Sequence, residues 1–150
     1  MIGDTEPCAG WLDGREHQLP VRVYYEDTDF TGVVYHANYA RYFERGRSDF
    51  LRLTGVRHAM LFERPDPLAF TVRRLAIDYL RPARIDDALI VHTAYDRVKG
   101  PRLFVSQRIT RGGELLASAQ VEAACIDGAG RARKPPPDLM AAVAPLLAPP

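Results

Sequence analysis

Residues 23–47 read VYYEDTDFTGVVYHANYARYFERGR. The stretch changes character twice. It opens as the end of a strand, because Val21, Val23 and Tyr25 alternate with Arg22 and Tyr24 between Leu19 and Asp27. It breaks at Asp27-Thr28-Asp29-Phe30-Thr31-Gly32, which is rich in turn formers and ends in glycine. From Asn38 onward Tyr39, Tyr42, Phe43, Phe50, Leu51 and Leu53 recur near helical spacing, with Arg41, Arg45, Ser48 and Arg52 on the other face. Asn38 is a candidate N-cap, since its side chain can accept from a free backbone N–H, and Gly55 is a candidate stop. Gly46 inside a helix costs up to ~1 kcal/mol against Ala. Its presence predicts close packing of helix on sheet.

Downstream, four segments read as strands: roughly residues 69–80, 88–99, 102–111 and 114–127. Each alternates in part, and Lys99-Gly100-Pro101 and Arg111-Gly112-Gly113 have the composition of hairpin turns. Pro135-Pro136-Pro137 ends this region, and Asp138 precedes Leu139, Met140, Val143, Leu146 and Leu147, a short C-terminal helix within residues 138–150. Upstream, residues 1–18 mix Gly, Pro, Asp and Glu around Trp11 and read as a loosely ordered tail. The domain proper is then 19–137. Strand, long helix, consecutive hairpins and short helix predict an α+β fold with an antiparallel sheet. A sheet wrapped around one long central helix is the hotdog arrangement.

The 150 residues suit one domain, and 47% hydrophobic with 26% charged residues is ordinary for a globular protein. A net charge of +1 gives no support to nucleic-acid binding, which shows as a strongly basic chain or face. Cys8 and Cys125 make neither a disulfide framework nor a zinc site. Cys125, in an apolar run, reads as a small buried hydrophobe. The acidic, polar start lacks the apolar core of a signal peptide, and no apolar run approaches the ~20 residues of a membrane span. The expectation is a cytoplasmic protein with no transmembrane segment.

The chemistry concentrates where strand, turn and helix meet. Glu26, Asp27 and Asp29 crowd the end of the strand, and the chain then runs through Gly32 to His36 into a helix start. A helix start presents unpaired N–H groups and the positive end of the dipole, so it can polarise a carbonyl and hold an oxyanion. A carboxylate opposite such a site is what ester or thioester hydrolysis needs, as nucleophile or as general base to water. Plainer readings stand beside this one. Asp29 also suits an Asx turn, Asp27 a turn or cap, and Glu26 a solvated strand end. Glu44 suits an i,i+3 pair with Arg47. His36 suits local hydrogen bonding as well as direct participation, and Tyr25 suits strand packing as well as lining a pocket. His17, His58 and His92 show no partner pattern and read as surface residues.

The residues Tyr25, Asp29, Gly32, Val34-Tyr35-His36, Asn38-Tyr39, Phe43-Glu44-Arg45 and Arg47 form a long pattern, joined later by Asp78-Tyr79-Leu80-Arg81-Pro82-Ala83 and Asp86-Asp87. It resembles the 4-hydroxybenzoyl-CoA thioesterase family, and within it the Tol-Pal-associated (YbgC-type) acyl-CoA thioesterases. The resemblance covers about residues 20 to 137. It implies a hotdog fold and hydrolysis of acyl-CoA to free acid and CoA, with no metal or prosthetic group. It implies that Asp29 is the catalytic carboxylate and that Tyr25 and His36 occupy the family's Tyr and His positions. The backbone N–H at His36 would then face the thioester carbonyl. The family binds CoA at subunit interfaces with basic side chains near the phosphates, and by position and charge the candidates are Arg73, Arg74, Arg133 and Lys134. A homodimer or homotetramer is implied. The rivals are an acyl-carrier-protein substrate, another enzyme of the same fold, and a non-enzymatic acyl- or partner-binding role linked to the Tol-Pal envelope system. A pure binding module has no need of Asp29 at that place.

Overall fold

The sheet of this protein carries six antiparallel strands in the order β1-β2-β4-β5-β6-β3. A computed structural model describes residues 7–150. The strands are β1 (Trp11–Asp13), β2 (Glu16–Arg22), β3 (Leu68–Tyr79), β4 (Ala88–Lys99), β5 (Arg102–Arg111) and β6 (Glu114–Asp127). The helices are α1 (Asn38–Leu53), α2 (His58–Phe62) and α3 (Pro137–Val143). Glycines close the two hairpins expected from composition, with positive φ at Gly100, Gly112 and Gly113, a conformation that costs Gly little. β3, which follows α1 and α2, lies at the far edge, paired among the described residues only to β6.

The core forms between α1 and one face of the sheet. Leu89, Val91 and Tyr95 of β4 and Leu103, Val105 and Ile109 of β5 point inward at alternate positions. They meet Tyr39, Tyr42, Phe43 and Phe50 of α1, which recur at the three- and four-residue steps of one helix face. Gly46 lies at the closest approach. A Cβ there would stand 2.6 Å from Thr93 Oγ1 and 2.8 Å from Val91 Cγ1. The predicted close packing is what the glycine permits. Beneath it the buried amide of Gln107 ties helix to sheet. Its Nε2 donates to the Phe43 carbonyl and to Thr93 Oγ1, both at 2.8 Å, and its Oε1 accepts from Arg47 at 2.9 Å. Arg47 also pairs with Glu44 at 2.9 Å, the expected i,i+3 contact. Cys125 is buried in β6 as expected.

The main departures from expectation lie before α1. The segment read as a loose tail carries β1 and the start of β2, a hairpin turning at Gly14. The part of that expectation covering residues 1–6 lies outside the described residues. The core face of β2 is His17, Leu19 and Val21. A histidine in the first inward position hides the alternation. His17 is no surface residue: it is fully buried, and its Nε2 lies 2.6 Å from Asp49 Oδ2 on α1. His92 is also buried, between Glu16 and Thr110. His58 is exposed, as expected, yet bonds Ser48. The strand expected to run to Asp27 stops at Arg22, and Tyr25–Asp27 form a 3-10 turn. Asn38 is not the cap of α1. Ala37 holds that place without a side-chain cap, and Asn38 donates from Nδ2 to the Asp27 carbonyl at 2.8 Å.

Candidate active site

Asp27 organises the region. Its carboxylate accepts from the Tyr24 N–H at 2.8 Å, folding the chain back as the capping reading required. Its carbonyl accepts from the Tyr35 N–H at 2.9 Å and from Asn38. The segment between them is thereby held over the start of α1. A bridge from Thr28 to Val34 makes it a small hairpin, and a second bridge, from Val33 to Arg84, ties it to the loop after β3. Its turn is Asp29-Phe30-Thr31-Gly32, closed by Gly32 N–H to the Asp29 carbonyl at 3.0 Å, with Gly32 at φ +80°.

Asp29 therefore sits at the first corner of an exposed turn. Its Oδ1 accepts from the Thr31 hydroxyl at 2.6 Å and the Thr31 N–H at 2.8 Å. This is the Asx-turn geometry that the plainer reading anticipated. It occupies one oxygen. Among the described residues, Oδ2 accepts no hydrogen bond. The Thr31 hydroxyl, the Thr31 N–H and then the His36 ring hold the carboxyl below its usual range. The group is ionised at neutral pH and available as an anion.

His36 stands just before α1. The Tyr79 hydroxyl donates to its carbonyl at 2.8 Å, and its ring lies 4.4 Å from that of Tyr35. Among the described residues, nothing accepts from its backbone N–H. An unclaimed donor at a helix start is the element that an oxyanion would use. Tyr79 falls within the resemblance pattern but has no role of its own assigned by it. The signal for it is its place at the end of β3, next to the Leu80-Arg81-Pro82 turn.

Tyr25 and Asp29 line one shallow hollow with Phe30 and Ile85. His36 lines a neighbouring groove with Tyr39, Tyr79 and Leu80. Tyr25 is 83% exposed and Phe30 is fully exposed. Tyr25 is thus not a packed strand residue. With Tyr35, Tyr79 and Leu80 these rings make an apolar surface that one chain leaves uncovered.

The four basic candidates do not join Asp29 within one chain. Arg73 and Arg74 lie midway along β3 at a bulge, and Arg73 is 3.9 Å from Glu122. Arg133 is bound to Asp127 at 3.0 Å, and Lys134 follows it. Asp127 pairs with Leu68, at the end of β3 opposite Tyr79. At strand rise that separation is about 36 Å.

A family model for the thioesterase-like superfamily matches residues 23–143, from the strand end through the site to α3. The chain belongs to the thioesterase-like superfamily. Among its relatives in that superfamily is the acyl-CoA thioesterase YbgC of Haemophilus influenzae, 48% identical over 109 residues, 73% of this chain and 79% of that one. A solved structure of a probable thioesterase from Bartonella henselae is 45% identical and superimposes with a TM-score of 0.79, covering 81% of this chain and 99% of the other. The 4-hydroxybenzoyl-CoA thioesterase solved with 4-hydroxybenzoyl-CoA is 17% identical, with a TM-score of 0.78 over 86% of this chain and 99% of that one, and shares the fold alone. The six-stranded antiparallel sheet with its helices is the hotdog-type fold of this superfamily. Among the described residues no helix is long and apolar enough to cross a membrane.

Proposed function

We propose that this thioesterase-superfamily chain hydrolyses acyl-CoA thioesters to the free acid and CoA. The observation that carries the reading is Asp29: an ionised carboxylate with one oxygen fixed by Thr31 and the other open, beside a helix start whose His36 N–H is unclaimed. The thioester carbonyl oxygen takes the His36 N–H, and the open oxygen of Asp29 faces the carbonyl carbon at about 3–3.5 Å. Asp29 then attacks to form an acyl–enzyme anhydride that water cleaves, or it takes a proton from an attacking water. In either route the C–S bond breaks and CoA leaves as thiolate, a weak base that needs no acid partner. Tyr25 and Phe30 border the same hollow and flank the acyl group.

The proposal includes a homodimer formed by antiparallel pairing of β3 edges. β3 is a twelve-residue strand with one edge unpaired among the described residues. Such pairing brings the Arg133 and Lys134 end of one subunit toward the Tyr79 and His36 end of the other. That would add the neighbour's basic side chains, for the CoA phosphates, to Arg81, which lines the His36 groove of the same chain. A further doubling to a tetramer, curling of the sheet around α1 as its central helix, a cytoplasmic location and work beside the Tol-Pal envelope system belong to the same reading. They are supported by the sequence resemblance.

The test is hydrolysis by the purified chain over acyl-CoAs from short aliphatic through long-chain to hydroxybenzoyl, with acyl-(acyl carrier protein) run in parallel. Turnover of a CoA ester supports the reading and names the acyl class. Turnover of the protein-bound acyl group alone moves the substrate to the carrier protein. Turnover of neither sinks the enzymatic proposal.

A further inference from the structure

A second hollow opens near the other end of α1. Arg45, Ser48, Asp49 and Arg52 of α1 line it together with Arg57 and His58 at the start of α2. Arg52 is fourteen positions beyond Asn38, which at helical rise is about 21 Å from the start of α1. The three guanidinium groups are exposed. Among the described residues none of them pairs with a carboxylate, although Arg47, on the same helix, pairs with Glu44. Arg45 lies over the Tyr42 ring at 5.9 Å, and Arg57 Nε meets only the Met60 sulfur, at 3.2 Å. Asp49 is the hollow's one carboxylate among the described residues, and one of its oxygens is already engaged. Its Oδ2 takes the Gly10 N–H at 2.8 Å and His17 Nε2 at 2.6 Å. Ser48 and His58, 3.0 Å apart, add polar hydrogen-bonding groups.

Three guanidinium groups with no carboxylate partner among the described residues share one concavity with a single carboxylate, and a multivalent anion offsets their mutual repulsion. Guanidinium forks match the oxygens of a phosphoryl group and bind them in pairs. We infer that this hollow binds a phosphoryl group, as a phosphate ester or diphosphate. Two sources share that chemistry. One is the nucleotide end of CoA, an arm that rests on the thioesterase reading and would give this hollow the phosphate role assigned above to Arg133 and Lys134. The other is a separate phosphorylated small molecule, which does not.

The probes are 3′,5′-ADP and inorganic pyrophosphate, titrated calorimetrically into the full chain at low and raised salt. Binding is expected, weakening with salt, and falling by about tenfold for each of Arg52 and Arg57 replaced by Ala, as for loss of a hydrogen bond to a charged group. Arg97→Ala, which removes an equal charge from a residue stacked on Phe104, is the control and leaves binding unchanged. If the Arg52→Ala, Arg57→Ala double variant does not fold, Arg52→Gln alone serves. A rise in KM for acyl-CoA at constant kcat in the variants assigns the phosphoryl group to CoA. An unchanged KM with probe binding lost assigns it to a separate ligand. Absence of probe binding by the wild type, or binding undiminished in the variants, overturns the inference. The sequence also places Asp4 and Glu6 shortly before Cys8. Probe binding that appears only in an Asp4→Asn, Glu6→Gln variant would mean the chain neutralises its own arginines, and overturns it too. An inactive protein that binds the probes sinks the thioesterase reading and not this one.

Discussion

Thr31 gives both of its hydrogen bonds to a single oxygen of Asp29, the hydroxyl at 2.6 Å and the N–H at 2.8 Å. The arrangement divides the carboxylate into a held oxygen and an open one. It also favours the charged form, because both donors stabilise the anion. The acid limb of kcat/KM is therefore expected below the usual carboxylate range. Thr31→Val removes the hydroxyl and keeps the N–H, so the limb moves upward toward the ordinary Asp value. A pH–rate profile of the two proteins checks this. An acid limb unmoved by the substitution would show that Asp29 does not set it.

Asp29→Asn tests the same residue from the other side. The amide oxygen still accepts from Thr31, so the turn and the melting temperature are expected to hold. What is lost is the anion. Turnover should fall by at least about a hundredfold, the scale of a lost acid–base or nucleophilic group. CoA release monitored with a thiol reagent gives the number. Full turnover in the variant would remove Asp29 from the mechanism.

Gly46→Ala sets two effects against each other. Alanine improves helix propensity by up to ~1 kcal/mol. The new Cβ meets Thr93 Oγ1 at 2.6 Å and Val91 Cγ1 at 2.8 Å, both held in the sheet. Overpacking of this kind costs about 1–3 kcal/mol. The clash is expected to win, and the variant to melt below the wild type. A higher melting temperature would show that α1 can lift from β4 at little cost.

Gln107→Leu strikes beneath the same helix. The substitution removes the acceptor of Arg47, which is nearly buried, and the donor to the Phe43 carbonyl. The guanidinium keeps only Glu44. A loss of about 2–4 kcal/mol is expected, since a buried group is left without its partner. Urea unfolding measures it.

These contacts show which parts of the structure the sequence made legible. β4, β5 and β6 follow their expected limits because period-two patterns and Gly turns are local signals. α1 does as well, from the apolar spacing of Tyr39 through Phe50. The turn at Asp29 was legible because its turn-forming residues and the helix start are adjacent in the chain. The β1–β2 hairpin was not. Its inward His17 reads as polar until Asp49, 32 residues away, is placed beside it. Asn38 looked like a cap because nothing nearby in sequence reveals the Asp27 carbonyl as its acceptor. Gln107 gave no pattern for the same reason: its three partners come from α1 and β4. In the proposed dimer the basic side chains near CoA depend on how β3 of one chain meets its neighbour, and no single-chain pattern encodes that register.

In the proposed dimer β3 also forms the join. Val72 and Leu75 are exposed on this edge strand, close to the bulge at Arg73. In the proposed dimer they lie at the join. Wild type is expected to sediment as a dimer or a multiple of it. Val72→Lys with Leu75→Lys places like charges at a two-fold join, where each residue meets its own copy or a neighbour, and like charges opposed across strands destabilise pairing. The double variant should sediment as a monomer with an intact circular dichroism spectrum. Its KM for acyl-CoA should rise, because Arg133 and Lys134 of the neighbour are then withdrawn from the Asp29 site. A monomeric wild type would remove the join and, with it, the role given to those two residues. A monomeric variant with unchanged KM would keep the join and place CoA wholly within one chain.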